Sequence, residues 1–268
     1  MVPILDEKVF EKKEELLQSI IQLVQIPSVK GCPEPGAPFG RNVAMALEKA
    51  LAIAESLGFQ TVNLDGYIGY AQFGKGEDYI GIIGHLDVVE AGVGWKYPPF
   101  GGVMENGRIY GRGVLDNKGP IMAALYALSA IKRSGLPISK PVRIIFGTNE
   151  ETGFQDIPYY LSKEKAPIMG FTPDCKYPVV YGERGRGGIQ FYTSYANNDF
   201  IEKGRIFFNF LNKYILNGNP YGERLGIDYS DEEFGRMELR NYKIGIEPSA
   251  FTFSLDLSYP AVVTIDEI

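Results

Sequence analysis

Apolar residues recur at helical spacing near the start of the chain. From Asp6 onward, positions such as Leu16 and Ile20 share one face of a predicted helix, which Pro27 ends because proline cannot continue it. After a loop rich in glycine and proline, a second amphipathic stretch follows, and Gly58 is the kind of residue that commonly ends a helix. The pattern therefore predicts two amphipathic helices in the first 60 residues.

Two continuous apolar runs further along the chain, residues 79–84 and 142–147, are typical of strands that are buried on both faces of a sheet. Between them, residues 119–133 are apolar almost all round, which predicts a buried helix. The order of strand, long loop, helix and strand predicts an α/β layered domain. In such domains, ligands bind beyond the carboxyl ends of the strands.

The pattern changes after about Gly188. Residues 188–194 and 251–257 alternate between apolar and polar positions, as half-buried strands do, and residues 206–215 contain apolar positions at helical spacing. A second, smaller α+β domain is therefore expected. The predicted domains are residues 1–187 and residues 188–268, with the glycine-rich turn GERGRGG, residues 182–188, at their boundary.

Composition narrows the kinds of partner and site. The net charge of −6 comes without a basic cluster, so we expect neither a nucleic acid nor a membrane as partner. No apolar stretch reaches the roughly 20 residues that span a bilayer. Two cysteines and no recognisable secretory signal favour a cytoplasmic location with free thiols. A single histidine, His85, excludes every site that needs two histidines from this chain.

His85 stands in the motif GHLDVV, directly after the first buried strand. Asp87 is the next side chain on the same face, and its carboxylate could hold the imidazole ring as the partners of metal-binding histidines do. For these residues alone, a hydrogen-bonded loop histidine without a ligand is the commoner explanation.

Three further motifs supply acidic side chains. Asp116 lies in GRGVLDNKG, Glu150 and Glu151 lie in GTNEETG, and Asp174 lies in TPD. Their structural alternatives are a helix N-cap, a solvated acidic turn and an ordinary turn, respectively. At a strand end, adjacent glutamates point to opposite sides, so that one could bind a metal and the other reach its water. Together with His85, these carboxylates fit zinc, manganese or cobalt in a hydrolytic site.

The order of the motifs resembles that of a known family. GHLDVV, then GWKYPPFGGVMENGRIYGRGVLDNKGP, then GTNEETG and TPD are similar to the serial metal-site motifs of the co-catalytic zinc peptidases, which include carnosinases, aminoacylases and glutamate carboxypeptidases. The likeness is greatest to the bacterial Xaa-His dipeptidase branch and extends over about residues 5–190. It implies a three-layer α/β/α catalytic domain with a smaller α+β lid domain, here partial, and zinc-dependent hydrolysis of dipeptides.

The resemblance also implies roles for individual residues at a site for two zinc ions, with manganese or cobalt as alternatives. Asp116 would bridge both ions, Asp87 would orient the histidine, and Glu150 would be the general base. The Asp116–Asn117 peptide bond is expected to be cis. The metal ligands would be His85, Asp116, Glu151 and Asp174.

The chain departs from the family's pattern in its histidines and its lid. The family's second metal needs another histidine from near the C-terminus, and a lid histidine usually supports the tetrahedral intermediate, but His85 is the only histidine here. His85, Asp116 and Asp174 complete the set for one metal, whereas Asp116 and Glu151 leave the other set one ligand short. The lid is also shorter than the family's. We therefore expect an incomplete dipeptidase, lacking an internal lid segment and a C-terminal segment.

Three hypotheses stay open, and they differ in whether this chain is active by itself. An incomplete dipeptidase predicts a reading frame that continues past Ile268 with a further histidine. A degenerate homologue would bind one metal or a peptide without turnover. A deacylase would cleave N-acyl amino acids and ignore dipeptides, although in the family an aspartate at the position of Asp174 accompanies dipeptidases. The expected partner is a short peptide substrate, and a homo-oligomer is compatible because lids in the wider family form dimers in some members.

Overall fold

The computed structural model describes residues 3–174 and 179–268. Contacts within the chain divide it into two compact units, residues 1–175 and residues 176–268. The first unit is built on a five-stranded sheet, and the second is built on a smaller, three-stranded sheet.

The first unit begins with three helices, continues with five strands and then alternates helices and strands. Its helices are α1 (Pro3–Phe10), α2 (Lys13–Val24), α3 (Arg41–Ser56), α4 (Lys118–Ser134) and α5 (Asp156–Lys163). Its strands are β1 (Gln60–Leu64), β2 (Ile68–Phe73), β3 (Ile80–His85), β4 (Val103–Glu105), β5 (Arg108–Tyr110), β6 (Val142–Gly147) and β7 (Met169–Phe171).

Five of these strands form one mixed sheet in the order β1-β2-β6-β3-β7. The β1–β2 and β2–β6 pairs are antiparallel, whereas β3 is parallel to both β6 and β7. His85 at the end of β3 lies opposite Gly147 at the end of β6. The carboxyl ends of these two strands therefore meet at one edge of the sheet, which is where an α/β fold places its ligands.

Helices cover both faces of the sheet. On one face, α2, α3 and α4 bury a core that includes Leu23, Leu47 and Leu125. On the other face, Tyr160 of α5 packs in a cluster with Ile145 of β6. Because each face of the sheet is apolar, each needs its own helical layer. The predicted three-layer α/β/α architecture is confirmed.

The first predicted helix is divided into two, α1 and α2. The guanidinium of Arg133 donates to the carbonyl oxygen of Lys8 at 3.2 Å and pairs with the carboxylate of Glu11. A cation that binds the last carbonyl groups of a helix favours its end there. The second predicted helix, α3, ends as expected, with Gly58 in the left-handed region at φ 78°.

The second unit packs one helix on an antiparallel sheet. Its strands are β8 (Gly185–Ser194), β9 (Ser230–Asp231), β10 (Gly235–Arg236), β11 (Glu238–Glu247) and β12 (Ala250–Tyr259), and its α-helix is α6 (Phe200–Leu211). β12 lies between β11 and β8, and β9 pairs with β10 in a separate ribbon. Phe207 and Leu211 of α6 join Phe251, Phe253 and Leu255 of β12 in one core. The smaller α+β unit is thus also confirmed.

The predicted glycine-rich turn over residues 182–188 is wrong in its second half. β8 already begins at Gly185, which pairs with Tyr259 of β12. A Cβ at residue 185 would lie 2.0 Å from Cε2 of the Tyr259 ring. Glycine is therefore required here because an aromatic ring covers the strand, and not because the chain turns.

Among the described residues, no helix is long and apolar enough to cross a bilayer. Cys32 is an exposed free thiol, as expected. The other cysteine, Cys175, lies outside the described residues.

Candidate metal centre

His85 is held rigidly at the end of β3. Its side chain is almost completely buried, and Nδ1 lies 2.9 Å from the backbone oxygen of Asp87. Because a carbonyl oxygen can only accept, Nδ1 carries the hydrogen in this contact. The other ring nitrogen, Nε2, therefore faces outward as the atom that is available to a metal.

Three carboxylates surround Nε2 of His85. The nearest oxygens are Oδ1 of Asp116 at 2.9 Å, Oδ2 of Asp174 at 3.5 Å and Oε2 of Glu150 at 3.9 Å. Asp116 follows the β4–β5 hairpin, Glu150 follows β6, and Asp174 follows β7. Residues that are far apart in sequence are thus brought to one point, as the motifs predict.

Asp87 connects the histidine to the two glutamates. Its Oδ1 lies 3.4 Å from Nδ1 of His85 and accepts the N–H of Glu150 at 3.2 Å. Its Oδ2 accepts the N–H of Glu151 at 3.1 Å. This buried carboxylate is in a position to fix the imidazole and the glutamate backbone in one arrangement.

The expectation that Glu150 and Glu151 point to opposite sides is wrong. β6 ends at Gly147, and the chain turns before it reaches the glutamates, so the alternation of a strand no longer applies. Buried Asp156 accepts the N–H groups of Thr148 at 2.7 Å and of Asn149 at 3.1 Å and shapes this turn. Ligand atoms of both glutamates come within 4.8 Å of each other and of His85.

Asn117 is a site residue that the sequence interpretation missed. Its Oδ1 accepts the N–H of His85 at 3.3 Å, and its Nδ2 donates to Oδ1 of Asp174 at 3.1 Å. The Asp116–Asn117 peptide bond is cis, as expected. The space for this amide depends on Gly84, where a Cβ would lie 2.2 Å from Oδ1 of Asn117. Its position beside Asp116 in GRGVLDNKG was the available signal.

Lys118, the next residue, was also missed. Its side chain is fully buried, and Nζ donates to the carbonyl oxygens of Leu23 at 2.9 Å and Ile26 at 2.8 Å. Burial lowers the pKa of the Lys118 amine to about 7, although the charge of Asp87 acts in the opposite direction.

The electrostatics of the site are those of a cation surrounded by acids. Burial lowers the pKa of His85, but the hydrogen bond and charge of Asp87, with the charges of Asp174 and Glu150, outweigh it and raise the pKa to about 9. Burial raises the pKa of both Glu150 and Glu151, and neighbouring carboxylates raise it further, while His85 opposes them. In the metal-free protein, a protonated imidazole therefore balances part of the carboxylate charge.

The donor set fits a divalent cation. Ligand atoms of His85, Asp116 and Asp174 all lie within 4.8 Å of one another. Nitrogen and oxygen ligands at about 2 Å from one zinc ion are themselves only a few ångströms apart. Glu150 and Glu151 form a second such group with the same histidine. Since His85 has one nitrogen to offer, it can serve one ion only.

The sequence is similar to those of a known peptidase family. The sequence profile of peptidase family M20/M25/M40 matches residues 81–255. The putative dipeptidase YtjP of Bacillus subtilis is 44% identical over 180 residues, which are 66% of this chain and 39% of the relative. The Beta-Ala-Xaa dipeptidase of Lactobacillus delbrueckii subsp. lactis is 40% identical over 191 residues, which are 70% of this chain and 40% of the relative. The chain thus spans about two fifths of these relatives' length.

Solved structures share the fold at low sequence identity. Human carnosine dipeptidase 1 superposes with a TM-score of 0.69 at 16% identity, covering 99% of this chain and 74% of that protein. The dipeptidase Dug1p of Saccharomyces cerevisiae gives a TM-score of 0.67 at 17% identity and covers 99% of this chain and 73% of that protein. Because the family profile matches residues 81–255, which are more than half of the chain, the chain belongs to peptidase family M20/M25/M40.

Proposed function

We propose that this chain carries the catalytic site of a metal-dependent dipeptidase. The observation that carries the proposal is the convergence of Asp116, Asp174 and Glu150 on Nε2 of His85, all within 4 Å. The names of the two bacterial relatives, a putative dipeptidase and a Beta-Ala-Xaa dipeptidase, support the same reaction. The proposal assigns residues 1–187 to the catalytic domain and residues 188–268 to a lid.

In this proposal, His85, Asp116 and Asp174 hold one ion, and Asp116 and Glu151 contribute to a second. Zinc is the proposed metal because one imidazole with carboxylates suits it, and manganese and cobalt accept the same ligands. A protein of similar structure, YXEP of Bacillus subtilis, is described as a dinuclear metal binding peptidase, which supports a site for two ions. Bound metal would supply a polarised carbonyl and an acidified water.

Glu150 is the proposed general base. Its carboxylate lies beside Nε2 of His85, where it could take a proton from the attacking water and return it to the leaving amine. The raised pKa of Glu150 suits that exchange, since a base is most effective near the pH at which it works. Asp87 would fix the position of Glu150 relative to His85, because its Oδ1 contacts both residues.

The proposed substrate is a short peptide with a free amine, because an aspartate at the position of Asp174 accompanies dipeptidases in the family.

We also propose a cytoplasmic location. The exposed free thiol of Cys32 supports it, since free thiols suit a reducing compartment.

The test combines metal content with a substrate panel. The purified chain should bind zinc or cobalt, and its hydrolysis should be measured on dipeptides, including β-alanyl dipeptides, and on N-acyl amino acids. Glu150→Gln should bind metal as the parent does and lose at least about 100-fold in any measured hydrolysis, since the amide cannot take the proton. Glu48→Gln, which changes an exposed glutamate on α3, is the matched control and should leave both properties unchanged.

Each alternative has its own outcome. A chain that binds no metal contradicts the proposed site. Hydrolysis of N-acyl amino acids alone identifies a deacylase. Metal binding without hydrolysis of any dipeptide identifies a binding homologue if the reading frame stops directly after Ile268, and an incomplete dipeptidase if it continues with a further histidine. Activity of Glu150→Gln within a few fold of the parent contradicts its assignment as the base.

A further inference from the structure

Residues 23–28, at the end of α2 and directly after it, contact two of the segments that carry candidate ligands, the loop after His85 and the loop that leads from Asp116 into α4. On one side, Nζ of Lys118 donates to the carbonyl oxygens of Leu23 and Ile26, as described above. On the other side, Oγ of buried Ser28 donates to the carbonyl oxygen of Leu86 at 2.6 Å. These six residues are called the bridging segment below.

The contact with Ser28 holds the histidine loop. The carbonyl oxygen of Ser28 also accepts the N–H of Val88 at 3.0 Å, so Ser28 binds the backbone on both sides of Asp87. Leu86 is held in turn by Gly147 at the end of β6, through a hydrogen bond of 2.9 Å. The position of Asp87, which fixes His85, therefore depends on the bridging segment.

The contact with Lys118 holds the aspartate loop. The N–H of Lys118 donates to the carbonyl oxygen of Gly113 at 2.9 Å, which closes the turn that contains Asp116. The aliphatic stem of Lys118 runs past Gly113, where a Cβ would lie 3.2 Å from Cδ. Because the lysine is fully buried, its amine has no solvent to bind in place of the two carbonyl groups.

We propose that Lys118 is a positioning residue, which sets the separation of Asp116 and His85 by anchoring the aspartate loop to the bridging segment. The amine has enough hydrogens for both carbonyl groups in either protonation state. Without it, two buried carbonyl groups lose their donor and the start of α4 loses its attachment to α2. This inference rests on the proposed metal site only for its functional consequence, since the arrangement exists in the metal-free chain.

The other end of the same helix provides a matched control. Nζ of Lys132 donates to the carbonyl oxygens of Leu57 and Gly58 at the end of α3. Lys132 thus makes the same kind of contact from the last turn of α4, where no candidate ligand lies. Lys118→Met and Lys132→Met remove the same chemical group from the two ends of one helix.

The first readout needs no metal. Since His85 is the only histidine, its ring Cε1–H gives a single imidazole signal in the proton NMR spectrum of the metal-free protein. Lys118→Met and Ser28→Ala should shift that signal, because Asp116 or Asp87 moves relative to the ring. Lys132→Met should leave it at the parental position, even where it lowers the melting temperature.

The second readout is a cobalt titration followed by visible absorption. Lys118→Met and Ser28→Ala should each weaken Co²⁺ affinity about ten-fold, which is typical for residues that orient ligands, and Lys132→Met should not. In the double variant, the two losses should be less than additive, because both act through the bridging segment.

Several results would overturn the inference. One is a folded Lys118→Met variant with the imidazole NMR signal and the Co²⁺ affinity of the parent. Another is a Lys132→Met variant that changes these two properties as much as Lys118→Met does. If Lys118→Met does not fold, Ser28→Ala decides through the same two readouts. A parent chain that binds no Co²⁺ contradicts the proposed function, while the NMR comparison still tests the positioning role.

Discussion

The two units of the molecule bury different kinds of side chain. In the second unit, α6 and β12 enclose an almost wholly apolar core, and Ser258 is the one buried polar side chain among its described residues. The first unit buries many polar side chains in addition to its apolar layers. Those nearest the candidate metal centre are Ser28, His85, Asp87, Asn117, Lys118, Thr148, Asn149 and Asp156.

This difference separates what stabilises a fold from what shapes a site. Buried apolar area stabilises without regard to direction, so the core of the second unit requires close packing but no donor–acceptor geometry. A buried polar group must meet its partner at hydrogen-bond distance, or it destabilises the protein. The polar network of the first unit therefore fixes atomic positions, which a metal centre needs and a core does not.

Truncation of the apolar core should have the largest effect on stability. Phe251 is 2% exposed, and its ring lies 4.8 Å from that of Tyr195 and 5.7 Å from that of Phe207. Phe251→Ala should destabilise the second unit by about 3–5 kcal/mol in denaturant unfolding. Co²⁺ affinity at the first unit should remain within about two-fold of the parent, as long as that unit is folded. A parallel loss of metal binding would contradict the separation of roles.

A single methyl group at the metal centre should cost less stability but abolish metal binding. In Gly84→Ala, the new Cβ would meet Oδ1 of Asn117 at 2.2 Å, so the amide that holds His85 and Asp174 must move. We expect a loss of about 1–3 kcal/mol in urea unfolding and no measurable Co²⁺ binding.

The matched control for that substitution is Gly188→Ala in β8. A Cβ at residue 188 would meet only the backbone oxygen of Leu255, at 3.9 Å. Its stability should change by less than about 0.5 kcal/mol, as for ordinary surface substitutions. Parental Co²⁺ binding by Gly84→Ala would show that Asn117 does not support the site.

The difference between apolar burial and directed hydrogen bonds also explains which parts of the fold and the site can be predicted from the sequence. Apolar periodicity predicts β3, β6 and α4, because burial repeats with the period of the element. It also places His85, Asp116 and Glu150 after strand ends or before a helix, so that they can meet. Asp174 is expected only in a turn of the same domain, and its position after β7 is seen in the structure. The turn that makes both glutamates converge depends on the hydrogen bonds of Asp156, which have no periodicity and cannot be predicted from spacing.

Removing one oxygen acceptor from the network should weaken metal binding moderately. In Asp87→Asn, one side-chain oxygen becomes an NH₂ group and can no longer accept the N–H of Glu150 or Glu151. Co²⁺ affinity should fall about ten-fold, as for other partners of ligand histidines. Asp256→Asn is the control, since Asp256 accepts a hydrogen bond from Asn241 on the exposed surface of the second unit. Equal affinities in parent and Asp87→Asn would refute the role of Asp87.

A change of pH alone should also distinguish the two units, because His85, the one histidine of the sequence, lies in the first unit. The pKa of His85 is raised from its ordinary value of 6.5 to about 9, so protonation of the imidazole stabilises the folded metal-free protein. That stabilisation is complete below about pH 6.5 and is lost as the pH rises through about 9. The stability difference between the parent and His85→Gln should shrink over this window, and the single imidazole NMR signal should titrate within it.

Metal binding should respond to pH in the opposite direction. The ion must replace the proton on Nε2 of His85, so Co²⁺ affinity should rise by about ten-fold per pH unit below pH 9 and level off above it. Stability of the metal-free chain and affinity for the metal would then change in opposite senses because one proton links them. An affinity that is constant from pH 7 to 9 would mean that the neighbouring carboxylates do not raise the pKa of His85 to about 9. The carboxylates would then lie farther from the imidazole than the distances indicate.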